Sequence, residues 1–289
     1  KSFIPMIIGF GCTVPAILAT RIIDSWRNRL ITILILPLMS CGARLTIYSL
    51  LIPAFFSPRL YAPVLWGIYI VGIILAIVAA KVLGLFVFPG ETTGLVMELP
   101  PYRLPTFRSI TLQMWERTWL YLKKAGTIIL GVSIIMWVLT SYPRTPDTDG
   151  RISPAEQIAN SAAGRIGRAI EPVLRPIGFD WRIGTALLGA VAAKEVVVAQ
   201  LGVVMAIEDM EGNPRNMREI LRKNYSPLTG LSLLLFCLIG LPCGATVAAV
   251  RSETGRWKWA LLQFLFLTVL AWIVSFVIYQ TGSLIQKLI

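Results

Sequence analysis

Apolar runs of about 20 residues, the length that spans the hydrocarbon core of a bilayer, recur along this 289-residue chain. Backbone groups find no water inside that core, so each run must close its hydrogen bonds internally, as a helix does. With 56% apolar and 15% charged residues and a mean hydropathy of +0.72, the chain is expected to be an all-α polytopic membrane protein. About six to seven membrane segments are expected, several of them broken by Gly, Pro or Cys.

The net charge of +12 does not point to nucleic acid, because the basic residues sit mostly in short loops between apolar runs. That is the pattern of membrane topology and of contact with anionic lipid in the bilayer. The four cysteines, Cys12, Cys41, Cys237 and Cys243, all fall inside apolar runs and do not read as a secreted disulfide framework. Histidine is absent, so a metal here must be met by thiolate, thioether, carboxylate, hydroxyl or backbone carbonyl. There is no Gly-x-x-x-x-Gly-Lys-Ser/Thr phosphate loop, nucleophile elbow or histidine-based catalytic set, which argues against an enzyme.

Two interruptions echo each other. Gly9-Phe10-Gly11-Cys12-Thr13-Val14-Pro15-Ala16 and Gly240-Leu241-Pro242-Cys243-Gly244-Ala245-Thr246 each place a thiol among helix breakers. Aligning the cysteines aligns Trp26 with Trp257, with Arg21 and Arg251 one position apart and the acidic Asp24 and Glu253 two positions apart. An internal repeat is expected, and interrupted apolar segments at matching positions of two repeats point to a transporter binding site.

Between the repeats the chain divides by composition. Residues 21–29 form a basic loop. Residues 30–56 are broken at Pro37-Leu38-Met39-Ser40-Cys41-Gly42-Ala43-Arg44, where Arg44 needs a partner or water. Residues 61–88 make a cleaner span with Lys81 near one end. Residues 89–107 form an irregular connection holding Glu91 and Glu98, and 108–124 resemble an interfacial amphipathic helix. Residues 125–142 span, 143–180 are a helical extramembrane segment, and 181–206 are apolar apart from Lys194-Glu195. A polar loop at 208–226 precedes the broken span 227–250, a basic loop and the last span, 260–282. Five crossings between the two basic repeat loops would set the repeats in opposite orientations. The expected units are 1–29, the end of the first repeat; 30–107, a central membrane region; 108–259, the second repeat with segment 143–180; and 260–289, the last span and tail.

Cys12, Cys41 and Cys243 each lie close to a glycine and a proline. Their thiolates would suit Fe(II), Zn(II) or Cu(I), with unwound carbonyls as further ligands; the alternative is close packing of a small apolar residue. Cys237 has no adjacent breaker and reads as packing. Met39 and Ser40 could supplement Cys41. Lys194 and Glu195 point about 100° apart on a helix, so each needs its own partner. Glu195 is either a carboxylate on a permeation path, balanced by Lys194 or Arg44, or half of a packing ion pair. Glu98 reads as a pathway mouth or a solvated loop carboxylate, and Arg21 and Arg251 as interface anchors.

At these residues the chain resembles the membrane domain of the bacterial ferrous iron transport protein B family, FeoB. The stretch from Gly9 to Arg21 is similar to the end of that family's first Gate motif, and Met39-Ser40-Cys41-Gly42-Ala43-Arg44-Leu45 to its Ser-Cys-Gly-Ala-Arg segment. Further matches follow in order at Met97-Glu98-Leu99-Pro100 with Tyr102 and Pro105, Trp115-Glu116-Arg117, Lys124-Ala125-Gly126, Pro176-Ile177-Gly178, Ala193-Lys194-Glu195-Val196-Val197-Val198 and Pro242-Cys243. The resemblance implies Fe2+ transport across the bacterial inner membrane, with Cys12, Cys243 and Cys41 as candidate iron ligands. It also implies an N-terminal GTP-binding domain using GTP and Mg2+, earlier membrane helices, small Feo accessory proteins and a possible homo-oligomer. The chain begins at Lys1 without those parts, so it is expected to be the C-terminal part of a split or fragmented transporter. Alternatives are a Gate-type permease for another solute or metal, or a membrane scaffold binding through 143–180.

Overall fold

The structure, a computed structural model, describes residues 1–88, 106–142, 160–205 and 214–288. Glu91, Glu98, much of the segment 143–180 and most of the loop before Pro214 lie outside the described residues. Among the described residues every regular element is helical, in keeping with the apolar run lengths.

Helices α1 (Phe3–Gly9) and α2 (Thr13–Ala19) are the two halves of the first interrupted run. Helix α3 (Trp26–Ile35) ends in a tight turn at Leu36–Leu38, and α4 (Gly42–Phe55) resumes beyond it. Pro37 has no N–H to continue the helix, so the break falls where the sequence placed it. Helix α5 (Tyr61–Val82) runs unbroken, with Lys81 exposed in its last turn. Helix α6 (Phe107–Ser141) is a single element of 35 residues. Residues 108–124 and 125–142, expected as an interfacial helix followed by a span, are therefore one helix; the change of composition near Lys124 carries no Gly or Pro able to end it before Gly126, and one glycine weakens a helix without stopping it.

Helices α7 (Ala162–Leu174), α8 (Trp181–Ala192), α9 (Lys194–Met205) and α10 (Pro214–Asn224) follow. The apolar stretch 181–206 is thus two half-helices hinged at Ala193, which is extended at φ −152° and ψ 141°. The described part of segment 143–180 does not stand apart. Trp272 Nε1 donates to the Val173 carbonyl at 2.8 Å and Gln280 Nε2 to that of Pro176 at 2.8 Å, docking it on the last helix. Helix α11 (Pro227–Ile239) and α12 (Gly244–Thr254) are the halves of the second interrupted run, and α13 (Trp257–Leu288) closes the chain. Just before α11, Tyr225 donates to Asp180 Oδ2 at 2.8 Å. Burial, and then the Asp180 charge, push its phenol above the usual tyrosine range.

Among the described residues four stretches are long and apolar enough to cross a membrane: Trp26–Phe55, Pro58–Val87, Pro227–Thr254 and Trp257–Gln286. In an apolar 18-residue window of each, 67% and 72% of the residues are buried inside the protein in the two broken ones and 22% in each unbroken one. An unwound backbone is tolerated at membrane depth only where protein encloses it, so the broken spans form the interior and the intact ones face outward. Leu34, Leu38, Leu51, Leu234, Leu238 and Ile239, all from broken spans, lie at the centre of the core. Helix α2 packs against α12, so the second halves of the two interrupted runs lie side by side.

Candidate functional site

Each break ends one half-helix and starts another, leaving carbonyls on one side and N–H groups on the other. In the first, Gly11 and Cys12 N–H donate back to the Ile8 carbonyl at 3.0 and 3.2 Å, and extended Cys12 starts α2. The next break is tied to it, since Gly42 N–H donates to the Gly11 carbonyl at 3.0 Å and Cys41 starts α4. Ala193 opens α9. In the last, Leu241 is forced to φ 48° between Gly240 and Pro242, and Cys243 starts α12. A side chain at positive φ is strained by about 1–2 kcal/mol, held here by the packing around it.

The starts of α2, α4, α9 and α12 meet around one cavity of about 250 Å3. Cys12, Cys41 and Cys243 line it together with Arg44, Lys194 and Glu195, so six of the eight residues singled out by sequence come together. Thr13 and Thr246 line it as well, and the Cys243 thiol lies 3.2 Å from the Thr246 hydroxyl. Neither threonine was singled out, though each sits one or three residues after a cysteine at a break. Met39 and Ser40 are buried beside the cavity without lining it. Met39 offers its carbonyl to Arg44, and Ser40 meets the Tyr48 hydroxyl at 3.3 Å. Cys237 is buried in the core.

The charges divide unequally. Arg44 is 2% exposed and Lys194 5%. Arg44 donates from Nη1 to the Met39 carbonyl at 2.9 Å, and its buried Nε has no partner. Lys194 Nζ donates to the carbonyls of Cys237 and Gly240, both at 3.0 Å, which cap the end of α11. Glu195 is exposed. The ion pair between Glu195 and either cation, one of the two readings of the sequence, is not formed: ion pairs among the described residues join Lys1 to Asp24 and Arg21 and Arg29 to Glu253. Arg21 is therefore more than an interface anchor, whereas Arg251 stacks its guanidinium 4.7 Å from the Trp257 ring centre as an anchor would. Among the described residues no three Cys, Asp or Glu side chains converge closely enough to hold one metal ion.

A family model described as the ferrous iron transport protein B C terminus matches residues 65–117. A second, Gate, described as nucleoside recognition, matches residues 1–55 and 122–257. The Fe(2+) transport protein A/Fe(2+) transporter FeoB fusion protein of Porphyromonas gingivalis is 44% identical over 98% of this chain and 38% of its own length. The Fe(2+) transporters FeoB of Campylobacter jejuni and Methanocaldococcus jannaschii are each 38% identical, over 96% and 99% of this chain and 46% and 42% of their own lengths. The chain thus spans less than half the length of these relatives. No solved structure matches it. With Gate covering more than half of its residues, and the ferrous iron transport protein B C-terminus model matching the stretch between the two Gate matches, the chain belongs to the Gate family.

Proposed function

We propose that this chain is the membrane-spanning permeation part of a transporter that carries Fe2+ across the bacterial inner membrane. The observation that carries the reading is the convergence of Cys12, Cys41 and Cys243, each at the start of a half-helix, on one cavity. Thiols with neighbouring hydroxyls and a carboxylate are soft and hard donors together, a set suited to a borderline divalent ion. An ion in transit needs contacts weak enough to leave, so thiols that line a path without closing on one point fit transport better than storage. Relatives named as Fe(2+) transporters support the choice of iron.

On this reading the two Gate repeats, 1–29 and 108–259, lie in opposite orientations. Helix α6 and the α8–α9 pair supply the membrane segments beyond the four candidate spans, giving six to seven in all. GTP, Mg2+ and any accessory protein act through sequence outside this chain, as does any contact that assembles several copies.

The test is Fe2+ uptake by cells lacking other iron importers, using an otherwise complete transporter with Cys12→Ser and Cys243→Ser singly and together at matched membrane expression. Uptake is expected to fall severalfold in each single variant and to background in the double. Unchanged uptake in the double variant would make the thiols packing residues and end this reading of the cavity.

A further inference from the structure

The breaks expose two kinds of helix end, and the half-helix starts are the ones that line the cavity. Carbonyl ends, which carry partial negative charge and attract cations, are already occupied by the protein's own cations. Lys194 Nζ sits on the Cys237 and Gly240 carbonyls, both at 3.0 Å, and Arg44 Nη1 on that of Met39 at 2.9 Å. The starts of α4, α9 and α12 line the cavity instead; Gly42 N–H of α4 is taken by the Gly11 carbonyl, and neither Cys41 nor Cys243 adds a side-chain hydrogen bond to its helix start. Two buried basic side chains, Arg44 and Lys194, and a single carboxylate, Glu195, line the cavity, so basic groups outnumber acidic ones there.

Resting on the cation-path reading above, we propose that Lys194 is a tethered counter-cation. Its ammonium holds the carbonyl end of α11 that a permeating cation would use, and the cavity stays closed to bare cations until Lys194 leaves. Arg44 is the fixed part of the same barrier. Its guanidinium is fully enclosed and held within its own span by a carbonyl five residues away. Lys194 is the movable part, because it reaches from α9 to a different helix. When its Nζ withdraws, the Cys237 and Gly240 carbonyls, which are not themselves part of the cavity lining, lose their donor and the cavity loses a positive charge. Lys194 is thus a gating and specificity residue for the cargo.

The full chain, purified in detergent and reconstituted in proteoliposomes, tests this with Lys194→Met, which keeps the length and removes the charge, and Lys194→Arg, which keeps the charge. The probes are Co2+, followed by its thiolate absorption, and K+, followed by the collapse of an imposed diffusion potential. Lys194→Met is expected to bind Co2+ at least about tenfold more tightly than the unaltered chain and to leak K+, since the charge lining a cleft changes local ion concentration by about 10- to 1000-fold. Lys194→Arg should stay near the unaltered chain in both. A folded Lys194→Met protein that neither binds Co2+ more tightly nor leaks overturns the proposal.

A second measurement needs no variant. Cys243 should react faster with an anionic sulfonate methanethiosulfonate than with a cationic trimethylammonium one, by at least about tenfold relative to a free thiol; equal relative rates overturn the proposal even if Lys194→Met does not fold. Failure of Fe2+ uptake in a complete transporter would remove the proposed cargo but leave this reagent selectivity intact, so the two readings fail separately.

Discussion

Cysteine is a poor residue with which to start a helix. Ser, Thr, Asp and Asn do better because their oxygens accept from the first-turn N–H groups. This chain uses such caps away from the cavity: Ser25, Ser161, Asp180 and Ser226 each accept from a backbone N–H three residues on. At the cavity Cys12, Cys41 and Cys243 stand in the same position and make no such bond. A site that gives up capping in this way has a use for the thiol. Cys243→Ser should therefore raise stability by about 0.5–1 kcal/mol through better capping of α12, while lowering Fe2+ uptake. Thermal unfolding in detergent alongside uptake checks it, and a serine variant that is both less stable and less active would return the cysteine to a packing role. The identity of these residues was legible because Gly and Pro mark breaks by their local chemistry. The partners of Lys194 were not, since the carbonyls it holds lie 43 and 46 residues away.

Helices divide here by whether they are broken. The broken spans, 67% and 72% buried over their apolar windows, need enclosure for their unwound turns, and α5 supplies part of it from outside. Gly72 of α5 sits directly on the Leu36–Leu38 turn. A Cβ added there would lie 2.9 Å from the Leu38 carbonyl oxygen and 3.3 Å from Leu238 Cδ1. Alanine gains about 1 kcal/mol of helix propensity, but overpacking against a backbone group costs about 1–3 kcal/mol, so Gly72→Ala should destabilise by up to about 2 kcal/mol. Gly67, in the same helix with nothing within 4 Å of an added Cβ, is the control. Gly67→Ala should be neutral or stabilising by up to about 1 kcal/mol, and equal melting temperatures for the two variants would count against the close packing. Pro37 and Pro242 announced their breaks, whereas the break at Ala193 carries neither Gly nor Pro and came only from the packing of α9 against α8 and α4.

At the scale of the molecule, Arg21 and Arg29 are joined to the end of α12 by Glu253, whose side chain is 2% exposed. It accepts two hydrogen bonds from Arg21, at 2.6 and 2.9 Å, and one from Arg29 at 2.6 Å. Removing one partner of a buried pair usually costs about 3–5 kcal/mol, but the Arg21 side chain is 54% exposed and water screens its share. Glu253→Gln should accordingly lower stability by about 1–3 kcal/mol. Adding Arg29→Gln should cost less than the sum of the two single changes, because the groups share one interaction; strictly additive losses in a denaturation series would argue against the link. By itself the sequence determined the all-helical membrane architecture, the places where Gly and Pro interrupt it and the thiols set there, because run length and backbone propensity are local properties. Only the tertiary structure decided that four half-helix starts share one cavity, that Lys194 and Arg44 serve carbonyls and leave Glu195 unpaired, and that Glu253 ties α12 to Arg21 and Arg29. Those outcomes depend on which distant helices meet, and burial leaves a charged group no choice but to bind whatever partner packing brings within reach.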